Sequence, residues 1–276
     1  MNRRIKKAYT ARHLLRLATA PGRKLPDFLI IGAQKCGTTF LYRLLAQHPH
    51  VKPAFAKEVH YFDLNFRKSA NWYRSFFPLK TRNGRTYITG EASPYYLFHP
   101  HAARRASGVV PDAKLIVMLR NPVDRAYSHY QHQAKRVVGE ARETLPFEDA
   151  IQAEEKILPL EVSKMLQDEH YISPGHRTRS YLSRGIYIDQ LQVWSSFFQE
   201  KQMLVLKSED VFKDEANALE RILDFLEIPS WAPESYSIPN KREYSGMSPL
   251  IRQRLGEYYK PHNQRLYEYL GTDLAW

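Results

Sequence analysis

Apolar residues in this chain fall into short uninterrupted runs separated by longer amphipathic stretches. Asp27–Gly32 (DFLIIG) is a compact apolar run ending in glycine, the pattern of a buried strand. Thr38–Gln47 follows, with Phe40, Leu41, Leu44 and Leu45 spaced to share one helical face before Pro49 stops it. Thr86–Thr89 is a further strand candidate. Lys114–Leu119 (KLIVML) is the clearest central strand, and Pro122 opens a helix at its first turn, where a missing N–H costs little. Ile186–Phe198 reads as a helix, Met203–Leu206 as a strand and Asn217–Leu226 as an amphipathic helix. A last helix pair, Ser248–Tyr259 and His262–Leu270, is divided by Pro261.

Strands alternating with helices predict an α/β fold, a central, mostly parallel sheet with helices on both faces. The polar stretch 134–179 carries no strand signal and reads as a mainly helical insertion. With no repeat and no low-complexity linker, residues 26–276 are expected to form a single domain behind a basic N-terminal segment, 1–25.

Charge narrows the partners. Lys and Arg number 41 against 29 Asp and Glu, a net charge of +12, which favours acidic ligands without choosing among nucleotides, polyanions and membrane surfaces. The single cysteine, Cys36, excludes an intrachain disulfide and suits a reducing compartment, so a cytoplasmic location is expected. No run reaches the roughly 18 apolar residues of a membrane span. Leu14, Leu15 and Leu17, interrupted by Arg16, are too short a core for a secretory signal. A basic amphipathic surface helix is the plain expectation there, with a membrane-surface contact or a transit segment as alternatives.

The chemistry begins where the strand DFLIIG runs into Ala33-Gln34-Lys35-Cys36-Gly37-Thr38-Thr39 and a helix. Strand, tight loop and helix N-terminus together present free backbone N–H groups to a phosphate. Gly37 permits close approach, Thr38 and Thr39 can cap the helix and offer hydroxyls, and Lys35 adds a positive charge. Gly32 and Gly37 have Walker A separation, but Thr38 stands where the nucleoside triphosphatase lysine belongs. A second phosphate motif follows the strand KLIVML: Arg120 at its carboxyl end, and Ser128 eight residues on within the next helix. A planar guanidinium fork and a hydroxyl can converge there on one phosphate.

These two ordered motifs resemble the sulfotransferase superfamily, with closest likeness to the heparan sulfate type and its bacterial relatives. The resemblance runs from about Pro26 to Trp276 and is weakest across 134–179. It implies a P-loop-like sheet that takes 3′-phosphoadenosine 5′-phosphosulfate as co-substrate and needs no metal. The first loop, Lys35, Cys36, Gly37, Thr38 and Thr39, would hold the 5′-phosphosulfate, and Arg120 with Ser128 the 3′-phosphate. Asn240-Lys241-Arg242-Glu243-Tyr244 is similar to a third donor-binding stretch, which implies Arg242 and Tyr244 at the donor. Asn240 and Lys241 replace the Lys and Gly of the heparan sulfate enzymes.

Sulfuryl transfer requires an acceptor to lose a proton and a leaving phosphate oxygen to gain negative charge. Lys35 suits the second need. For the first, Lys57-Glu58-Val59-His60-Tyr61-Phe62 resembles the family's Lys-Glu-x-His-Phe-Phe segment. That implies Glu58 as general base, with Lys57 and His60 lining the acceptor site, while His60 remains the competing base. Gly90-Glu91-Ala92-Ser93-Pro94-Tyr95 marks a loop after a strand, and Ala92 replaces an active-site lysine of the animal enzymes. Tyr187 and Trp194 read as core. The expected acceptor is a small molecule or a glycan bearing a hydroxyl or amine, and nucleic acid is not expected as a partner. A P-loop kinase or nucleoside triphosphatase accounts for the first loop but lacks its lysine and an acidic strand end. A basic polyanion-binding module accounts for the charge but not for two ordered phosphate motifs.

Overall fold

The computed structural model describes residues 12–81, 87–135, 142–236 and 246–276. Its centre is a four-stranded sheet in the order β2-β1-β3-β4, built from β1 (Phe28–Gly32), β2 (Gly90–Ala92), β3 (Lys114–Leu119) and β4 (Met203–Lys207). Every pairing is parallel. All of β1 and β2, and β3 beyond Lys114, are buried. Burial on both faces explains why β1 and β3 read as continuous apolar runs instead of alternating ones.

Helices flank the sheet. Residues 12–18 form α1; then come α2 (Thr38–Leu45), α3 (Tyr61–Leu64), α4 (Ala70–Arg74), α5 (Ala102–Val109) and α6 (Pro122–Ala134). The polar stretch between 134 and 179 contains α7 (Phe147–Gln167) and α8 (Pro174–Thr178). The chain closes with α9 (Tyr187–Ser195), α10 (Ser208–Lys213), α11 (Glu215–Leu226) and α12 (Pro249–Leu270). The main core surrounds the sheet. A second apolar cluster joins Val123 and Ala126 of α6, Phe147 and Ile151 of α7, Tyr181 and Leu182, and Leu255 and Tyr259 of α12.

Three expectations need correction. The strand expected at Thr86–Thr89 lies a few residues later: Ile88 makes only an isolated bridge to Val51, and the ladder with β1 runs over Gly90–Ala92. Gly, Glu and Ala are poor strand formers. They succeed here because a Cβ on Gly90 would sit 2.5 Å from the Phe28 ring, so glycine lets that ring lie across the strand. Glu91 is therefore a strand residue, not a loop residue. Next, Pro261 does not divide the C-terminal helix. It lies inside α12, which stays continuous because Leu255, Tyr259, Asn263 and Leu266 bury one face on both sides of it. Tertiary burial outweighs the one hydrogen bond that proline removes.

Finally, α1 is turned opposite to a simple amphipathic reading. Leu14 and Leu15 are exposed, while Arg16 reaches inward to the carbonyls of Ser75 and Phe77 at 2.6 and 2.8 Å. Arg23 adds a bond to Phe77 O at 2.9 Å. These basic residues thus satisfy backbone acceptors that have no strand or helix partner.

Candidate active site

β1 ends at the phosphate loop, which its neighbour β3 holds through Ala33 N–H on Met118 O at 2.7 Å. Lys35 (φ 74°) and Gly37 (φ 91°) both adopt left-handed backbone. At Gly37 a Cβ would stand 2.8 Å from Cζ of Phe212, so both conformation and space call for glycine. Gly37 is itself the N-cap of α2, and no side chain caps this helix. Thr38 and Thr39 are its first residues, not its caps, which leaves the N-terminal N–H groups of α2 without a side-chain cap among the described residues.

Cys36 is buried, and burial pushes its thiol up to about 11. Its carbonyl accepts from Ser208 Oγ at 2.6 Å, which ties the loop to α10.

Arg120 follows β3 directly and is half-buried, while Ser128 is buried on α6. Asn121 Oδ1 caps α6 by accepting from Val123 N and Asp124 N at 3.0 and 3.3 Å. The two phosphate motifs are joined by Tyr187, whose hydroxyl donates to Arg120 O at 2.8 Å and lies 3.8 Å from Cys36 Sγ. Tyr187 is buried as expected, yet its polar tip connects both motifs. Trp194 is core, with Nε1 donating to Leu97 O at 3.3 Å.

Behind the loop lies a cationic floor that the motifs do not announce. Arg184 donates to Gln34 Oε1 at 2.6 Å, to His176 O at 3.0 Å and to Arg177 O at 2.6 Å. Its guanidinium stands 4.8 Å from the Tyr95 ring centre and 5.1 Å from that of Phe98. Burial pulls its pKa down to about 10. Arg125, fully buried, donates to Tyr181 O. Among the described residues, Nε and Nη1 of Arg125 and Nε of Arg184 have no acceptor. His129 is held well below its ordinary value, first by burial and then by the charges of Arg184, Arg125, His132 and Lys35. Buried unsatisfied donors are costly, and a run of positive charge beside a glycine loop is an arrangement that an anionic ligand relieves.

The expected acceptor-side segment is Lys57–His60, in which Glu58 (φ 60°) and His60 (φ 53°) are both left-handed. Glu58 Oε1 accepts from Lys57 Nζ at 2.6 Å, and Glu58 Oε2 lies 3.4 Å from His60 Nε2. On the far side of the ring, His60 Nδ1 lies 2.7 Å from Oδ2 of Asp63, whose side chain is wholly buried. Glu58 is pulled down to about 2 by its hydrogen bond with His60, against burial and with help from Lys57. Burial alone would lower His60, but the Asp63 and Glu58 carboxylates outweigh it and raise the ring to about 9.

The segment that follows β2 bonds to both β1 and the Lys57–His60 segment. Leu97 N donates to Ile31 O at 2.9 Å beside the phosphate loop, and Ser93 Oγ accepts from His60 N at 3.1 Å. The structure thus gathers Lys57, Glu58 and His60 into one cluster and ties Cys36 to Arg120 through Tyr187. Arg242 and Tyr244 lie outside the described residues. Sequence reasoning missed Asp63, Arg125, Arg184 and the role of Glu91. Asp63 stands three residues after His60, the spacing at which side chains meet on a helix, and that was the available signal. Arg184 and Gln34 are 150 positions apart, and no local pattern could pair them.

A parallel α/β sheet with a glycine phosphate loop after its first strand and a second basic motif at the end of its neighbour defines a P-loop-like group-transfer fold. Residues 25–248 match the sulfotransferase domain model, and the chain belongs to that family and is a sulfotransferase enzyme. It is 31% identical to human heparan sulfate glucosamine 3-O-sulfotransferase 6, over 95% of this chain and 77% of that protein. Identity to the bifunctional heparan sulfate N-deacetylase/N-sulfotransferase 1 of Caenorhabditis briggsae is 30%, over 90% of this chain and 30% of that much longer protein. Among solved structures, a sulfotransferase from Alicyclobacillus acidocaldarius superposes with a TM-score of 0.73 at 30% identity, covering 91% of this chain and 98% of its own.

Proposed function

We propose that this enzyme transfers a sulfuryl group from 3′-phosphoadenosine 5′-phosphosulfate to a hydroxyl or amine of a saccharide. The observation that carries the donor assignment is the pair of phosphate motifs bridged by Tyr187, backed by buried guanidinium nitrogens that find no acceptor among the described residues. The loop N–H groups with Lys35 and the hydroxyls of Thr38 and Thr39 would hold the 5′-phosphosulfate, and Arg120 with Ser128 the 3′-phosphate. The saccharide reading rests on the relatives, which are named for the 3-O- and N-sulfation of heparan sulfate.

In the reaction, the acceptor oxygen or nitrogen forms a bond to sulfur as the bond from sulfur to the bridging phosphate oxygen breaks. Adenosine 3′,5′-bisphosphate leaves with that electron pair, and the acceptor proton passes to the enzyme. Lys35 offsets the negative charge on the leaving oxygen. Between Glu58 and His60, only the carboxylate has lone pairs to accept a proton in the resting pair, although His60 and Lys57 hold it down to about 2 and so make it a weak base until the acceptor enters. A ring raised to about 9 is an imidazolium at neutral pH and has no lone pair to take a proton. His60 then orients Glu58, and Asp63 orients His60.

Thermal unfolding with three ligands tests the donor assignment. Adenosine 3′,5′-bisphosphate without metal should raise stability by about 2.7 kcal/mol at 100-fold excess over Kd. A shift seen only with ATP and magnesium, or only with heparin, would overturn it. A panel of saccharide acceptors with labelled donor then identifies the acceptor group.

A further inference from the structure

Glu91 sits in β2 with no exposed surface, and all four acceptor positions of its carboxylate are filled. Oε1 accepts from Tyr73 OH at 2.7 Å and Tyr96 OH at 2.9 Å. Oε2 accepts from Ser93 Oγ at 2.6 Å and Val59 N at 3.2 Å. Burial pushes this carboxyl upward, and the hydroxyl donors oppose it. Four donors leave no place for a carboxylic proton, so the arrangement fits the ionised form.

Two of the hydroxyls relay the contact further. Ser93 Oγ accepts from His60 N at 3.1 Å, and Tyr96 OH accepts from Tyr61 N at 2.7 Å. Three successive backbone N–H groups, of Val59, His60 and Tyr61, therefore end on one carboxylate, the first directly and the others through one hydroxyl each. Left-handed residues within such a segment turn successive N–H groups toward one side, where they form an anion-binding concavity. Here the left-handed residues are Glu58 and His60. On the opposite side Asn65 Nδ2 donates to the carbonyls of Val59 and His60 at 3.2 and 2.9 Å. The segment is thus clamped from both sides, although neither left-handed residue is a glycine.

We propose that Glu91 is the positioning residue of the acceptor-side pair: its buried carboxylate imposes the left-handed backbone at Glu58 and His60 and so aims their side chains at each other. This rests on the reading of Glu58 and His60 as the groups that meet the acceptor. Glu91 touches neither acceptor nor donor and acts only through the 59–61 backbone. It also explains why an acidic residue occupies a fully buried strand, where an isolated charge would be expensive.

The test is Glu91→Gln, which keeps side-chain shape but turns an NH₂ group against two donors. The ring titration of His60 is followed by NMR, alongside turnover with labelled donor on a heparan oligosaccharide bearing both free hydroxyls and free amines and binding of adenosine 3′,5′-bisphosphate. His60 should titrate lower by about one pH unit or more, because the carboxylates that hold its proton are no longer aligned. Turnover should fall at least about 10-fold, since misplacement of roughly 1 Å can cost 100-fold, while bisphosphate affinity stays within about 2-fold. Ser93→Ala, which removes one relay, should move His60 in the same direction and carries the test if Glu91→Gln does not fold. Tyr73→Phe removes a donor that relays nothing and should move His60 less than Ser93→Ala.

A lower melting temperature with the His60 titration unmoved, or an equal displacement by Tyr73→Phe, would overturn the positioning role. Absence of bisphosphate binding and turnover in the wild type would instead refute the functional reading, and the His60 titration would still judge Glu91.

Discussion

The hydroxyl of Tyr187 donates to the backbone carbonyl of Arg120 at 2.8 Å, so the first residue of α9 fixes the turn from which the second phosphate motif springs. The same hydroxyl lies 3.8 Å from Cys36 Sγ in the first motif. Tyr187→Phe keeps the ring in the core and removes only this tip. A neutral hydrogen bond contributes about 0.5–1.5 kcal/mol, so affinity for adenosine 3′,5′-bisphosphate should weaken by about 2- to 10-fold. Isothermal titration checks this, and unchanged affinity would show that the bridge does not shape the donor site.

Arg120 itself should matter more. A charged partner of a phosphate contributes roughly 1.5–3 kcal/mol, so Arg120→Ala should weaken the bisphosphate by at least about 10-fold. Adenosine 5′-phosphosulfate, which lacks the 3′-phosphate, should be almost insensitive to the change. Ser128→Ala should show the same selectivity with a smaller loss. Equal losses for both ligands would place Arg120 elsewhere.

The acceptor side separates from the donor side in kinetics. Glu58→Gln should lower turnover by about 100-fold or more, the usual range for a positioned base, with bisphosphate affinity preserved. Lys35→Ala should damage both. Should His60→Ala abolish turnover while Glu58→Gln stays active on the true acceptor, then the base is His60.

Stability should fall on both sides of neutrality, for opposite reasons. His60 rises from 6.5 to about 9 on folding, so its contribution is complete below pH 6.5 and is lost as pH climbs through 9. Buried His99 and His176 fall to about 2 and 3, chiefly through burial and then the charges of Arg105 and Arg184 respectively. Their contribution is complete above pH 6.5 and is lost as pH drops toward those values. Urea unfolding across pH reads both limbs. His60→Gln should flatten the alkaline limb and, because His60 also holds Glu58 down, ease part of the acid limb, whereas His176→Gln should ease the acid limb alone; an unchanged alkaline limb in His60→Gln contradicts these environments.

The strands β1 and β3 were legible because burial on both faces writes a continuous apolar run, and α2, α9 and α11 because a 3.6-residue repeat marks the buried face. The partly buried edge strand β4 was legible from its short apolar run, and α6 from Pro122 at its first turn. The phosphate loop was legible because glycine, lysine and threonine serve local backbone geometry between adjacent elements. β2 was not, because Gly90, Glu91 and Ala92 are strand residues only through what Phe28 and the donors around Glu91 do to them. Nor was the continuity of α12, where burial on both sides of Pro261 overrides a local breaker.

Along the chain, then, residue type and spacing determined which segments become strands, which loop can hold a phosphate, and which acidic and imidazole groups stand two positions apart. Only the tertiary structure decided that Arg184 reaches Gln34 across 150 positions, that Tyr187 bridges Cys36 and Arg120, and that Glu91 gathers the N–H groups of the Glu58–His60 segment. The division has one physical cause. Backbone conformation and periodic burial are short-range and leave a mark every few residues. The partner of a buried charge is chosen by desolvation, which asks only what lies within a few ångströms in space.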